Sequence, residues 1–163
     1  MRLLISSSLV WILVVSSCAQ NKDAGIYDPK ANAAQTIQNA VQQAQLEKKH
    51  VLLQVGGNWC PWCLRLHSFI HDHAQIDSII AADYIYVLVN YSKEQMNMDI
   101  MAELDYPQRF GFPVLVILDS TGNRIHTQNT AYLEEAESYS EKKLREFLLD
   151  WNSKAVDPDS YGH

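Results

Sequence analysis

Apolar positions along this chain return either every three or four residues or every second one, and that alternation lays out its elements. From Ala34 through Ile37, Val41 and Ala44 the spacing is helical, with Gln and Asn filling the other side. Asp28-Pro29 supplies a start signal, Asp as a cap and Pro at the first helical position, so a helix is predicted from there to about Lys48. Val51-Leu52-Leu53-Gln54-Val55, closed by Gly56-Gly57, is a buried strand whose one polar member is Gln54. Cys63, Leu66, Ile70 and His73 or Ala74 then share a helical face, which Ile76 to Ala82 extends. Tyr84 to Tyr91 alternates as a strand. Ser92 and Gln95 have capping-box spacing, which predicts a helix from Lys93 to Leu104. Tyr106-Pro107 ends it, and Phe112-Pro113 introduces the most apolar strand, Val114 to Leu118. A turn at Asp119 to Asn123 and a returning strand at Arg124 to Gln128 follow. Ser138 with Glu141 starts a last helix carrying Leu144, Phe147, Leu148 and Trp151, and the tail from Asn152 reads as loose. The order is that of an α/β domain, a mixed sheet with helices on both faces.

Composition narrows the class. The 163 residues, 47% hydrophobic and 20% charged, suit one globular domain with a real core. The net charge of −6 comes with scattered acidic residues and no Lys/Arg cluster, which argues against nucleic acid as a partner. Met1-Arg2, the mostly apolar Leu3 to Val15, and Ser16-Ser17 have the layout of a secretory signal. This stretch is shorter than the about 20 apolar residues of a membrane span. Val15-Ser16-Ser17-Cys18 resembles the lipobox of bacterial lipoproteins, which are cut before a cysteine that is then lipidated; cleavage after Ala19 is the alternative. Either route removes Cys18 as a free thiol and leaves Cys60 and Cys63 alone together. The expected layout is a signal at 1–17, a tether at 18–30, a domain at 31–152 and a loose tail at 153–163. Such a protein would be exported and lipid-anchored to the cell envelope of a bacterium.

The candidate chemistry lies in Trp59-Cys60-Pro61-Trp62-Cys63, at the start of a predicted helix. There the first sulfur meets unpaired N–H groups and the positive end of the helix dipole, which favour the nucleophilic thiolate. The second sulfur, one turn deeper, can attack the mixed disulfide and release the partner. Cys60 is therefore expected to attack and Cys63 to resolve.

With the preceding strand, Trp59 beside the pair, and Phe112-Pro113 heading the next apolar strand, the chain resembles the thioredoxin superfamily over roughly Asn32 to Trp151. The spelling Asn-Trp-Cys-Pro-Trp-Cys and the long first helix look most like exported bacterial thioredoxin-like proteins. The resemblance implies a thioredoxin fold with an N-terminal helix extension, and a cis Pro113 shaping a groove for extended substrate. Trp59, Pro61, Trp62 and Phe112 would border that groove. It implies thiol-disulfide exchange with protein thiols or disulfides, an upstream redox partner, a monomer, and no cofactor beyond the Cys60–Cys63 pair. Two departures stand out. Thioredoxins carry a buried carboxylate six residues before the first cysteine, where this chain has Gln54, which cannot take a proton. The intervening dipeptide is Pro61-Trp62, where thioredoxins have Gly-Pro.

Rival readings use the same residues. A permanent disulfide or half a zinc site would explain the pair alone. Cys60, Cys63, His67 and His71 line one side of a helix with His73 beside them, a donor set for zinc or copper. One straight helix cannot wrap them round a tetrahedral ion, because positions 60 and 71 are about 16 Å apart. No metal site is therefore expected; His67 is read as a modulator of the Cys63 proton, and His71 and His73 as surface residues. Leu64 after Cys63 excludes c-type haem attachment. Met96, Met98 and Met101 are read as core residues. A non-enzymatic protein-binding module and a copper-handling protein using Cys60, Cys63 and a histidine remain as alternatives.

Overall fold

The computed structural model describes residues 25–162. The expected signal, Cys18 and the first part of the tether lie outside them. The central strand β1 (His50–Gly56) is buried along its whole length, because it has neighbours on both edges and helices on both faces. β2 (Tyr84–Asn90) runs parallel to it, pairing Gln54 with Leu88. On its other side β3 (Val114–Leu118) runs antiparallel, pairing Gln54 with Leu115, and β4 (Arg124–Asn129) closes the order β2-β1-β3-β4 as a hairpin. The sheet is mixed, and the fold is that of thioredoxin.

The period-two parity of the strands sorts the core into two layers. Val51, Leu53, Val55, Val87, Val89, Val114 and Val116 face α1 (Ala33–Glu47) and α4 (Met98–Glu103), meeting Ala40, Ala44, Ile100 and Met101. Leu52, Tyr84, Leu115 and Ile117 face α2 (Pro61–Asp72), α3 (Ala74–Asp83) and α5 (Glu141–Asp150), meeting Leu66, Ile70, Ile76, Ile80, Leu144 and Leu148. By parity Gln54 belongs to this second layer, under α2.

Several local expectations change. The first helix starts at Ala33, capped by Asn32, whose Oδ1 accepts from Gln35 N–H at 3.1 Å. Asp28 caps a turn instead, accepting from Lys30 N–H at 2.8 Å. Tyr27, read as tether, is 1% exposed, so the ordered domain begins before residue 31. Residues 93–97 form a loop and not the first turn of a helix, because Asn97 takes a left-handed conformation (φ 50°) and α4 is only Met98–Glu103. The helix after the cysteines breaks at His73, which adopts an extended backbone between α2 and α3. Ser138 lies in β6 (Ser138–Tyr139), paired with β5 (Glu134–Glu135), and Ser140 stands at the start of α5. The tail is tied at its root: the Asn152 Oδ1 accepts from Lys154 and Ala155 N–H, and its amide donates to Asp83. Only Met101 of the three methionines is core; Met96 and Met98 are exposed.

The cap assignment is open to measurement. Asn32→Ala should cost about 1 kcal/mol of stability, whereas Asp28→Ala should cost only a few tenths, read from urea unfolding midpoints. Equal losses would return the helix start to Asp28.

Candidate active site

The strand-to-helix corner after β1 is where the chain concentrates reactive and apolar groups. Cys60 is the N-cap of α2, in extended conformation, and its Sγ accepts the Cys63 N–H at 3.2 Å. Its carbonyl takes the first helical bonds from Cys63 and Leu64. The two cysteines are joined as a disulfide with Cα atoms 5.2 Å apart. Cys60 is 4% exposed and Cys63 is fully buried, so solvent and partners meet Cys60 first. Pro61 occupies the first helical position, where the missing N–H costs nothing.

Aromatic side chains frame the pair. Trp59 is 56% exposed, yet held: its Nε1 donates to the Tyr91 carbonyl at 2.7 Å, and its ring meets Phe112 edge-on at 5.4 Å. Phe112 stacks at a tilt on Tyr91, 4.8 Å away, and packs against the cysteine cluster. The peptide between Phe112 and Pro113 is cis, and the Pro113 carbonyl accepts from the buried Thr130 hydroxyl at 2.5 Å. Trp62 lies on the other flank, edge-on to Tyr139 and beneath the Arg65 guanidinium. Gly57 is required by closeness, since a Cβ there would lie 2.5 Å from Trp59 Nε1 and 2.8 Å from the Tyr91 carbonyl. Beyond Trp59 an open apolar hollow of about 450 Å³ is lined by Tyr91, Ser92, Lys93, Glu94 and Met96.

Beneath Cys63 lies a neutral polar cluster. Gln54 is fully buried; its Nε2 donates to the Cys63 carbonyl at 3.0 Å and to the Tyr27 hydroxyl at 2.5 Å, while its Oε1 accepts from the Tyr86 hydroxyl at 2.6 Å. The orientation of the amide is decided by the Cys63 carbonyl, which can only accept. Burial pushes the Tyr27 and Tyr86 hydroxyls well above the ordinary tyrosine range, so both stay protonated. His67 stacks on Tyr86 at 6.2 Å with its Nδ1 buried and unbonded among the described residues. Burial, and then the nearby His71, lower its pKa. Through Tyr86 it is linked to Gln54, and so to the Cys63 carbonyl.

A family model described as thioredoxin-like matches residues 32–120, more than half of the chain. The chain belongs to the thioredoxin-like family. None of the curated proteins compared with it matches. Among solved structures, this thioredoxin-like chain is similar to a disulphide isomerase from Xylella fastidiosa Temecula1, at 23% identity and a TM-score of 0.69, over 78% of this chain and 96% of that one. It also matches a DsbH oxidoreductase at 17% identity, over 69% and 81% of the two chains, with a TM-score of 0.47. A thioredoxin-fold protein from Helicobacter pylori matches at 23% identity, over 68% and 75%, with a TM-score of 0.46.

The residues singled out from sequence fall in two groups. Cys60, Cys63, Trp59, Phe112 and Gln54 come together around one corner, with Trp62 and Pro61 on its helix side. His71 bonds Asp77 and meets the His67 ring edge-on at 4.5 Å, and His73 bonds the Phe69 carbonyl and stacks on its ring at 3.8 Å. Among the described residues no three His, Cys, Asp or Glu side chains converge on a possible metal ion. Tyr27, Tyr86, Tyr91 and Thr130 were not legible as site residues. For Tyr86 the strand parity it shares with Gln54 was the available signal; for Tyr27 there was only an aromatic residue in a polar stretch.

Gln54→Glu tests the neutrality of the cluster. A carboxylate there loses both donors to Cys63 and Tyr27, and stability at pH 8 should fall by about 2 kcal/mol. Burial raises the folded pKa of such an acid above its unfolded value. The variant should thus be nearest wild type below the unfolded carboxyl pKa and lose stability as pH rises, the opposite of the usual surface carboxylate. A pH-independent loss in urea titrations would count against this account.

Proposed function

We propose that this thioredoxin-like chain is a thiol-disulfide oxidoreductase that acts on proteins outside the cytoplasm. The observation that carries the reading is that Cys60 is both the cap of α2 and the more accessible half of a disulfide with Cys63. In the reducing direction the Cys60 thiolate attacks one sulfur of a substrate disulfide, whose other sulfur leaves as a thiolate. The Cys63 thiolate then attacks Cys60 Sγ, the Cys60–Cys63 bond forms, and the second substrate thiolate departs. Two electrons pass to the substrate, and an upstream dithiol partner returns them; oxidation of a substrate runs the same steps backwards.

Trp59, Pro61, Trp62, Phe112 and Pro113 would border the extended substrate segment. Exposed Trp59, fixed through its Nε1, is suited to apolar contact at little entropic cost. The secretory leader and the lipobox-like Val15 to Cys18 support an envelope location, with Cys18 as the site of the lipid anchor.

Two measurements test this reading. Cys63→Ser should trap mixed disulfides through Cys60 with exported proteins, and Cys60→Ser should not. Absence of trapped species, with a wild-type pair that neither reduces nor oxidises a test disulfide, rejects the enzyme. Labelled fatty acid should enter the expressed chain and be lost in Cys18→Ser; retained label or a soluble wild-type protein rejects the anchor.

A further inference from the structure

The segment before the first helix enters the redox site. Tyr27 is pinned to the loop ahead of Cys60 by two bonds with one side chain: its N–H donates to Asn58 Oδ1 at 2.9 Å, and Asn58 Nδ2 donates to its carbonyl at 2.7 Å. Its ring is buried in one cluster with Cys60 and Cys63. Gly56 opens the gap between ring and sulfur, for a Cβ built there would stand 2.5 Å from Cys63 Sγ and 2.9 Å from the Tyr27 hydroxyl. The sulfur and the hydroxyl thus border the same small space.

The hydrogen-bond directions settle what the hydroxyl has left to give. Gln54 Nε2 must point at the Cys63 carbonyl, so it also donates to Tyr27, which accepts. With the disulfide formed, the Tyr27 hydroxyl donates to no acceptor among the described residues, Cys63 Sγ included. A buried hydroxyl proton without an acceptor is costly, and the polarisable group across the gap is Cys63 Sγ.

We propose that Tyr27 is a hydrogen-bond donor to the resolving thiol: once the disulfide is reduced, its hydroxyl bonds the Cys63 sulfur and stabilises the thiolate that attacks Cys60. This deepens the oxidoreductase reading and rests on it. The hydroxyl keeps its proton throughout. The Cys63 thiol loses its proton to water, the Cys63–Cys60 bond forms as the Cys60–substrate bond breaks, and the departing substrate thiolate takes a proton from solvent. Gln54 supplies the pre-organisation that a carboxylate would supply differently: by donating to Tyr27 it turns the hydroxyl proton away from itself. The other titratable groups around the thiol are Cys60 at the cap of α2, Tyr86 on β2, Tyr139 on β6 and, behind Tyr86, His67.

Tyr27→Phe keeps the ring and removes the donor. In the full chain carrying Cys18→Ser and Cys60→Ser, Cys63 is the sole thiol, and its pKa can be followed by ultraviolet thiolate absorbance. Loss of a charge-assisted bond should raise that pKa by about one unit or more. With Cys60 restored, the mixed disulfide with glutathione should resolve about tenfold more slowly at neutral pH. Replacing Tyr27 by a ring-fluorinated tyrosine, a stronger donor of the same shape, should lower the Cys63 pKa, and it keeps the test informative if the Phe variant does not fold. An unchanged pKa in both variants makes Tyr27 a packing residue and overturns the proposal. A wild-type pair that neither reduces nor oxidises a test disulfide sinks the oxidoreductase reading instead, and the Cys63 titration still reports on Tyr27.

Discussion

A primary amide shut away from water must spend every donor it has, and Gln54 sets the terms for the corner around it. Its two N–H groups go to the Cys63 carbonyl and the Tyr27 hydroxyl, and its oxygen takes the Tyr86 hydroxyl. Each partner comes from a different part of the chain: the redox helix, the segment before α1, and β2. Each such bond adds only about 1 kcal/mol net, but leaving one unmade costs about 1–3 kcal/mol. The cluster therefore specifies position more than it adds stability, holding the first turn of α2 at one height above the sheet.

Apolar burial supplies the force that this polar cluster directs. Leu66 and Ile70 anchor α2 on Leu52, Leu115 and Ile117, and α3 and α5 extend the same layer. Fully burying each such side chain is worth about 1.5–3 kcal/mol. α1 and α4 cover the opposite face, so β1 delivers the Gly56-Gly57 corner from the centre of a sheet packed on both sides. A helix N-terminus placed there can hold a sulfur at its cap without flexing, and Trp59, Phe112 and Tyr91 form a connected aromatic wall beside it.

The chemistry beneath the disulfide is uncharged. A thioredoxin-type carboxylate would offer a proton acceptor, but at the cost of a negative charge near a thiolate. Here an amide and two protonated tyrosines surround the resolving cysteine, and burial keeps those hydroxyls protonated. Such a site can support a thiolate by donation without competing with it for protons. His67 is coupled to this arrangement through the face of Tyr86, and its lowered pKa favours the neutral ring.

Periodicity and local motif were enough to read the sheet strands, both helix-covered faces and the Cys60–Cys63 pair, because those depend on side chains a few residues apart. Phe112-Pro113 was legible through the apolar strand it heads and through family resemblance. Helix ends were less so: Asn32 and Asp28 are both competent caps, and the bonds they make put Asp28 in a turn and Asn32 at the start of α1. Tyr27 read as tether because its partners, Asn58 and Gln54, are 31 and 27 residues away. The sequence by itself determined that a polar Gln54 would be buried before a reactive pair. Only the tertiary structure decided what satisfies it, since a buried amide takes its partners from whatever the fold brings within 3 Å, and no local pattern records distance through space.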